Sequence, residues 1–462
     1  MARTNPADPA TAEPRSGHHA APDHGATPAG PTPPESPRRR RRLLADLTPL
    51  RISRPYRFMW FGAILSGIST HLTTVVVGLH IYDLTGSTFH VGLVGLFALV
   101  PLLSLGLYGG SIVDAHDRRT VMLCTASGLL LVSVGFATQA WLAVDNVWLL
   151  YGLVAFQNGC FAINSPARTA VVPRLLPKHL LPAANALSGL SMGTAVTAGP
   201  LLAGPLVKAG YGPAYSLQVL LLACALLTLR ALPSLPPEGE VRRAGLGAVW
   251  EGLRYLRTRP NLRMTFFVDL AAMILAMPRV LFPALGATVI GGGPSTVGIL
   301  VAAIAIGSIL AGLFSGPLGH IRRQGLAVLA AVITWGLAVF SFGVVMTVAP
   351  GPPADGRAHP ILWAAVACLV VAGAADAVSA VFRHTILQAA TPDRLRGRLQ
   401  GVFIVVVAGG PQLSDLLLGS VAQLTSEALT ATVGGLACVM VVIALGMWQP
   451  GFARYDARNP TP

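Results

Sequence analysis

Charge is what this sequence has least of. Only 11% of its 462 residues are Asp, Glu, Lys or Arg, against about 25% in soluble domains, so most of its surface cannot face water. Lysine is almost missing, with Lys178 and Lys208 set against 33 basic residues in all. Cysteine is sparse too. Cys124, Cys160, Cys224, Cys368 and Cys438 all fall in apolar runs, without metal-ligand spacing and without a pair in an outer loop. That excludes a disulfide framework and a zinc site, and no metal is expected. No Gly-x-x-x-x-Gly-Lys-Ser/Thr phosphate loop occurs, so ATP is not the expected energy source, and no His-Glu-x-x-His pair marks a metalloprotease. The chain therefore reads as no enzyme, with no cofactor. No cleavable signal is expected ahead of the first apolar run.

What fills the space is hydrocarbon. Hydrophobic residues make up 53% of the chain and the mean hydropathy is +0.63. Runs of about 18–25 apolar residues, the length that crosses a bilayer, fall near 57–82, 91–113, 121–143, 147–167, 182–208 and 213–232. A second six follow near 264–288, 297–318, 325–348, 361–383, 398–423 and 427–449. The fold expected is all-α and membrane-embedded: twelve transmembrane helices in two six-helix bundles, spaced alike as an internal duplication would leave them. The domains are then a disordered tail (1–50) ending in Arg38–Arg42, a first bundle (51–232), a cytoplasmic linker (233–263), a second bundle (264–449) and a short tail (450–462). Val249, Leu253 and Leu256 have helical spacing, which predicts a short interfacial helix in the linker.

The net charge of +14 is a topology signal. Arginines cluster in alternate loops: Arg51, Arg54 and Arg57; Arg118 and Arg119; Arg168 and Arg174; the linker; Arg322 and Arg323; Arg394, Arg396 and Arg398. The other loops hold little beyond Lys208 and Arg357. That asymmetry places both termini in the cytoplasm. It suits an anionic membrane surface and argues against a nucleic-acid partner.

Between the second and third spans the chain reads GGSIVDAHDRRT (109–120). Small residues here let two antiparallel helices turn tightly, and Asp114 lies within reach of Arg118 and Arg119, so the loop reads as a latch or as a plain basic turn. At this point the sequence resembles the major facilitator superfamily, whose signature is Gly-x-x-x-Asp-Arg-x-Gly-Arg-Arg. Gly110, Asp114, Arg118 and Arg119 match it; Ala115 and Asp117 depart from it. The counterpart SGPLGHIRRQG (315–325) lacks the acid. In span five, Gly199, Pro200, Gly204 and Pro205 resemble the Gly-Pro element of the superfamily's exporters and predict a kink, ordinary small-residue packing being the alternative.

The stretches SPARTAVVPRLLP (165–177), MPRVLFPALG (277–286), SAVFRHTILQAATPDRLRGRLQGVF (379–403) and AGGPQLSD (408–415) are similar to the enterobactin-exporter family, in its actinobacterial branch. The resemblance covers about residues 50–455. It implies proton-driven export of a siderophore or another hydrophobic small molecule across the bacterial plasma membrane, by a monomer. A broad multidrug efflux pump is the alternative within the same fold, and a non-transporting receptor or scaffold the alternative outside it.

An ionisable group near the bilayer centre costs about 2.5–3.5 kcal/mol, so it has a partner or a task. Asp269 lies about 9 Å and Asp376 about 11 Å into spans seven and ten, counted at 1.5 Å per residue. In the superfamily's fold spans one, four, seven and ten line the cavity, so both carboxylates are candidates for proton coupling; pairing of Asp376 with Arg383 seven residues on is the structural alternative. Arg279 in the outer half of span seven reads as an anion site or as an aspartate's gate partner. Asp415 reads first as half of a structural pair. His71 is a mid-span candidate, whereas His80 reads as solvated near the outer surface. Gln157, Asn158 and Asn164 offer hydrogen bonds to a polar ligand or to neighbouring helices. Arg168 and Arg174 read as the cytoplasmic end of span four.

Overall fold

The computed structural model describes residues 46–236, 250, 254–390, 393–456 and 458, but not the side chains of 107, 109–111, 114, 317, 319 and 393–405. The expected tail before residue 46 and most of the linker lie outside it; of the interfacial helix, Trp250 and 254–257 are helical.

Twelve long helices carry the structure: α1 (Arg54–Thr85), α2 (Thr88–Ala115), α3 (Arg118–Trp141), α4 (Val147–Leu175), α5 (Leu181–Lys208), α6 (Tyr211–Leu229), α7 (Pro260–Ile290, broken within), α8 (Pro294–Leu313), α9 (Gln324–Thr347), α10 (Ile361–Ala389), α11 (Asp393–Leu424) and α12 (Glu427–Trp448). Among the described residues eleven are long and apolar enough to cross a bilayer, and the twelfth, α11, packs between two of them, α2 and α7. Several ends are set by local chemistry. The Ser53 hydroxyl caps α1 by accepting the Tyr56 amide, Pro55 fills the first turn where no amide is needed, and Gly86 closes the helix at φ +60°. The Asn146 carboxamide caps α4 in the same way.

Packing repeats with a shift of six. The pairs α1·α5, α1·α6, α2·α4, α3·α4 and α3·α6 of the first half recur as α7·α11, α7·α12, α8·α10, α9·α10 and α9·α12 in the second. The halves meet chiefly along α2·α11 and α5·α8, which the same shift interchanges. This is the packing of two six-helix bundles built on the same pattern of contacts.

The two ends of the bundle differ. We call the end where α1 starts and α12 finishes the basic face, and the opposite end distal. One apolar cluster joins both halves at the distal end, from Leu72, Val76 and Ala203 to Leu281, Leu300 and Leu418. Toward the basic face the cores separate. Tyr56, Met122 and Leu187 belong to a cluster built from the first half, and Leu262, Trp335 and Phe382 to one from the second. Among the described residues the halves thus share a core distally and none at the basic face.

In lipid, helices gain nothing from hydrophobic contact with one another, so close approach needs small residues. The distal seams supply them. A methyl group at Gly95 would collide with the Gln412 carbonyl oxygen, and one at Gly298 with that of Pro200. The expected Gly-Pro element of α5 lies here. Gly199 faces α1, where a Cβ would stand 2.8 Å from the His71 Cβ, and Gly204 faces α8, 2.5 Å from the Ser295 Cα. The segment thus packs α5 on two sides at once, against its own half and against the other.

Candidate functional site

The break in α7 follows from two adjacent residues. Pro278 has no amide proton to donate, and the residue before a proline is pushed toward extended backbone. Met277 accordingly sits at φ −97°, ψ 94°. Its carbonyl, freed from the helix, accepts the Ser414 hydroxyl of α11 at 3.4 Å, as buried backbone in a membrane must find a partner. The break turns Arg279 toward the next residue of α11. Arg279 Nε donates to Asp415 Oδ1 and Oδ2 at 3.0 and 3.1 Å, and Nη2 to Oδ2 at 2.5 Å. The pair abuts the α2·α11 seam, where a Cβ on Gly95 would stand 3.0 Å from the Asp415 Cβ. Removing one partner alone leaves a largely buried charge. Arg279→Gln and Asp415→Asn are each expected to cost about 3 kcal/mol, and the double variant less than their sum. Thermal unfolding of the four proteins in detergent measures this; additive losses would mean that the pair does not couple the two helices.

A second cluster joins α7 to α10. Asp269 is 1% exposed and forms an ion pair with Arg383, itself 3% exposed. Arg383 Nη2 also reaches Asp376 Oδ1 at 3.4 Å. Two carboxylates therefore share one guanidinium, so that with both ionised the cluster has one negative charge in excess. Asp376, whose side chain is 32% exposed, is the open member and Asp269 the sealed one. The guanidinium at the centre was read from sequence only as a neighbour of Asp376. Nothing in the local pattern ties it to Asp269, 114 positions away.

The first half holds a cavity of about 360 Å³ between α1, α4 and α5. His71 lines it from α1 and Asn164 from α4. Asn164 Nδ2 donates to the Thr125 hydroxyl at 2.6 Å. The α4 stripe in the wall is Phe161, Asn164, Ser165, Arg168, Thr169 and Val172. Gln157 and Asn158 continue it one turn distally, and Asn158 Nδ2 is engaged with the Val154 carbonyl at 2.9 Å. Arg168 departs from its sequence reading: it lines the cavity instead of simply ending the span. His80 departs as well. It is 6% exposed, stacks on Tyr211 at 4.0 Å and lies 3.2 Å from the Tyr215 hydroxyl. The expectation of a solvated side chain failed because two α6 tyrosines close over it.

The expected latch loop makes contacts through its arginines and through Asp117. The side chain of Asp114 and position 110 fall outside the described side chains. Arg118 Nη1 donates to the Ala170 carbonyl at 3.0 Å and Arg119 Nη2 to the Arg230 carbonyl at 3.2 Å, tying the loop to α4 and the end of α6. Asp117, where the signature has glycine, accepts the Ser234 hydroxyl and the Leu235 amide, anchoring the start of the linker. Slight burial works to raise its carboxyl, but the Ser234 hydroxyl and the amides of Leu235, Arg119 and Thr120 outweigh that and hold it below 3.8. A carboxylate lowered in the fold contributes fully above its ordinary pKa and loses that contribution as pH falls through the lowered value. Asp117→Ala should therefore speed exchange of the Leu235 amide by roughly fivefold at neutral pH, with the wild type converging on it in acid. Equal exchange rates at neutral pH would show that the anchor carries no weight.

The expectation that the sequence has no Gly-x-Ser-x-Gly elbow is corrected by one stretch. Residues 189–193 read Gly-Leu-Ser-Met-Gly, the spacing of a hydrolase nucleophile elbow. Ser191, however, lies inside α5 and donates to the Leu187 carbonyl at 3.0 Å, so it has neither the turn nor the base of a nucleophile. Among the described residues no His/Cys/Asp/Glu group is arranged to hold a metal ion.

The profile of a family described as transmembrane secretion effector matches residues 44–459. The enterobactin exporter EntS of Citrobacter koseri is 28% identical over 427 residues, covering 92% of this chain and 98% of that protein. EntS of Salmonella typhimurium is 28% identical over 410 residues, 88% and 95% of the two chains. Among solved structures, a peptide transporter POT in complex with sulfate aligns with a TM-score of 0.69 at 11% identity, over 88% of this chain and 96% of its own. A point mutant of the nucleoside transporter NupG aligns at 0.66 and 12%, over 85% and 99%. These last two speak for the fold alone.

Proposed function

Because the chain belongs to the transmembrane secretion effector family of the major facilitator superfamily, and is thus a multi-pass membrane transporter and no enzyme, we propose that it exports a small hydrophobic or siderophore-like molecule by proton antiport. The observation that carries the coupling is the cluster of Asp269, Arg383 and Asp376: one guanidinium between two carboxylates at the α7–α10 contact. A proton arriving at Asp376 neutralises the excess charge, and Arg383 is then free to pair with Asp269 alone. The change is local, and it acts on the two helices that bear the second half's side of the central path.

The basic face is cytoplasmic in this reading, in a bacterial inner membrane, because the arginine-rich loops all lie there. The shared distal core and the divided cores at the basic face then describe the carrier open to the cytoplasm. Cargo enters between the halves, the distal seams part, and protons entering from outside reset the cluster. Arg279 and Asp415 brace α11 where the distal seam must open. The kinship with enterobactin exporters supports a siderophore-like cargo; the mostly apolar cavity wall supports the broader multidrug reading as the alternative.

The test is flux in proteoliposomes with an imposed pH gradient, then with the gradient reversed, using a siderophore and several unrelated lipophilic dyes. Cargo moving against the protons, and stopping with an uncoupler, is the expected result. Flux indifferent to the gradient would overturn the coupling. Extrusion of many dyes would replace the siderophore reading with the multidrug one.

A further inference from the structure

The cavity of the first half contains a cation that no described residue balances. Arg168 lines the wall from α4, partly buried, with its Nε closed off from solvent and without a hydrogen-bond partner. Among the described residues no carboxylate lines the cavity and no ion pair reaches Arg168. The two other arginines set deep in the spans, Arg279 and Arg383, both face aspartates. An unpaired guanidinium between helices is costly in lipid, so its retention asks for a visiting counter-ion.

The rest of the wall offers little competition. The hydroxyls of Thr70, Thr169, Ser188 and Ser191 donate back to carbonyls of their own helices. The two polar aromatics are committed as well: Trp60 Nε1 donates to the Leu187 carbonyl at 2.9 Å and the Tyr56 hydroxyl to that of Ala184 at 3.3 Å. Trp60 thus lines the cavity with its polar end held in the protein, while Tyr56 sits in the wall at 1% exposure. A ligand here meets aromatic and aliphatic walls with one forked cationic donor and, across from it on α1, the His71 ring.

We infer that Arg168 is an anion-binding subsite, and that the cavity takes an amphipathic molecule whose carboxylate or phenolate oxygen pairs with Arg168 while its aromatic body lies against Trp60. The inference rests on the transport reading above, since it names the class of cargo that cavity carries. The size agrees: about 360 Å³ lies at the low end of pockets that hold drug-sized ligands. Guanidinium geometry suits the oxygens, since its fork binds a planar carboxylate through two parallel N–H bonds. The same oxygen chemistry is found on the headgroup of an anionic lipid, so the source must be separated by experiment.

Equilibrium binding separates it without any transport. The protein in nanodiscs of zwitterionic lipid is titrated with 1-naphthoate and with its neutral analogue 1-naphthamide, read by tryptophan quenching. Arg168→Gln is expected to weaken naphthoate about tenfold or more and to leave naphthamide unchanged. Arg168→Lys, which keeps the charge and loses the fork, should fall between. Equal weakening of both probes, or no weakening of the acid, would overturn the subsite. In nanodiscs containing phosphatidylglycerol, an unchanged naphthoate affinity supports cargo as the anion's source, whereas competition by the lipid would overturn the cargo assignment and leave Arg168 a lipid-headgroup site. Because no gradient is applied, failure here leaves the antiport reading standing, and failure of gradient-driven flux leaves the binding result standing.

Discussion

Asp269→Asn abolishes gradient-driven transport while the protein still reaches the membrane: that is the expected outcome for the sealed member of the charge cluster, and Asp376→Asn should do the same. An asparagine keeps the shape and loses both the charge and the titratable oxygen. With Asp269 neutral, Arg383 keeps only Asp376, whose oxygen lies 3.4 Å away, and the cluster no longer has a carboxylate to spare. Breaking a buried pair also costs about 3–5 kcal/mol, so Asp269→Asn should melt lower than wild type as well. Asp376→Asn leaves the Asp269–Arg383 pair whole and should be spared most of that loss. Stability and coupling therefore separate across the two variants. Both should lose uphill accumulation by roughly a hundredfold, about 2.8 kcal/mol at 1.4 kcal/mol per decade, and only Asp269→Asn should lose much stability. Inverted vesicles measure accumulation against cargo exchange at equal pH on the two sides. Exchange that persists without accumulation identifies a carrier that has lost its proton. Full accumulation by both variants would make the cluster a structural strut.

The sequence carried the architecture because bilayer thickness imposes one length on every span. The helices nevertheless run past the apolar windows: α1 extends over Arg54–Thr85, where the apolar run suggests 57–82. Ser53 and Gly86 set those ends, and hydropathy does not register caps. The acidic candidates were legible one at a time, since an aspartate in a long apolar run is conspicuous. Their pairing was less so. Arg279 meets Asp415 only because Met277–Pro278 breaks α7 and turns the chain, and Asp269 meets Arg383 only through the contact of two helices far apart in sequence. Arg168 was hidden for a different reason. It belongs to a basic stretch near the end of a span, where topology alone accounts for an arginine, and the lack of a counter-ion among the described residues is a property of three helices together. His80 shows the reverse error, a polar residue near a helix end taken for solvated when aromatic neighbours from α6 enclose it.

The second large effect belongs to the distal seam. Gly298→Ala is expected to push α5 and α8 apart and to leave the carrier biased toward the state open at the distal face. The added methyl collides with the Pro200 carbonyl oxygen, which is backbone inside a helix and cannot swing away as a side chain would. Overpacking of this kind costs about 1–3 kcal/mol. That strain acts only where the seam is closed. Two states of a carrier differ by a few kcal/mol, and each 1.4 kcal/mol changes their ratio tenfold. A single methyl therefore suffices to move the resting population, and turnover, which needs both states, should fall about tenfold. Gly152 supplies the control: a Cβ there meets nothing within 4 Å, so Gly152→Ala should leave transport unchanged. Spin labels at Lys208→Cys and Thr425→Cys, in a protein whose five native cysteines are replaced, span the distal face from one half to the other. Their separation should lengthen in Gly298→Ala and hold in Gly152→Ala, with transport falling only in the first. If the distance holds in Gly298→Ala and transport persists, the seam yields without opening the face, and the contact is packing and not a gate.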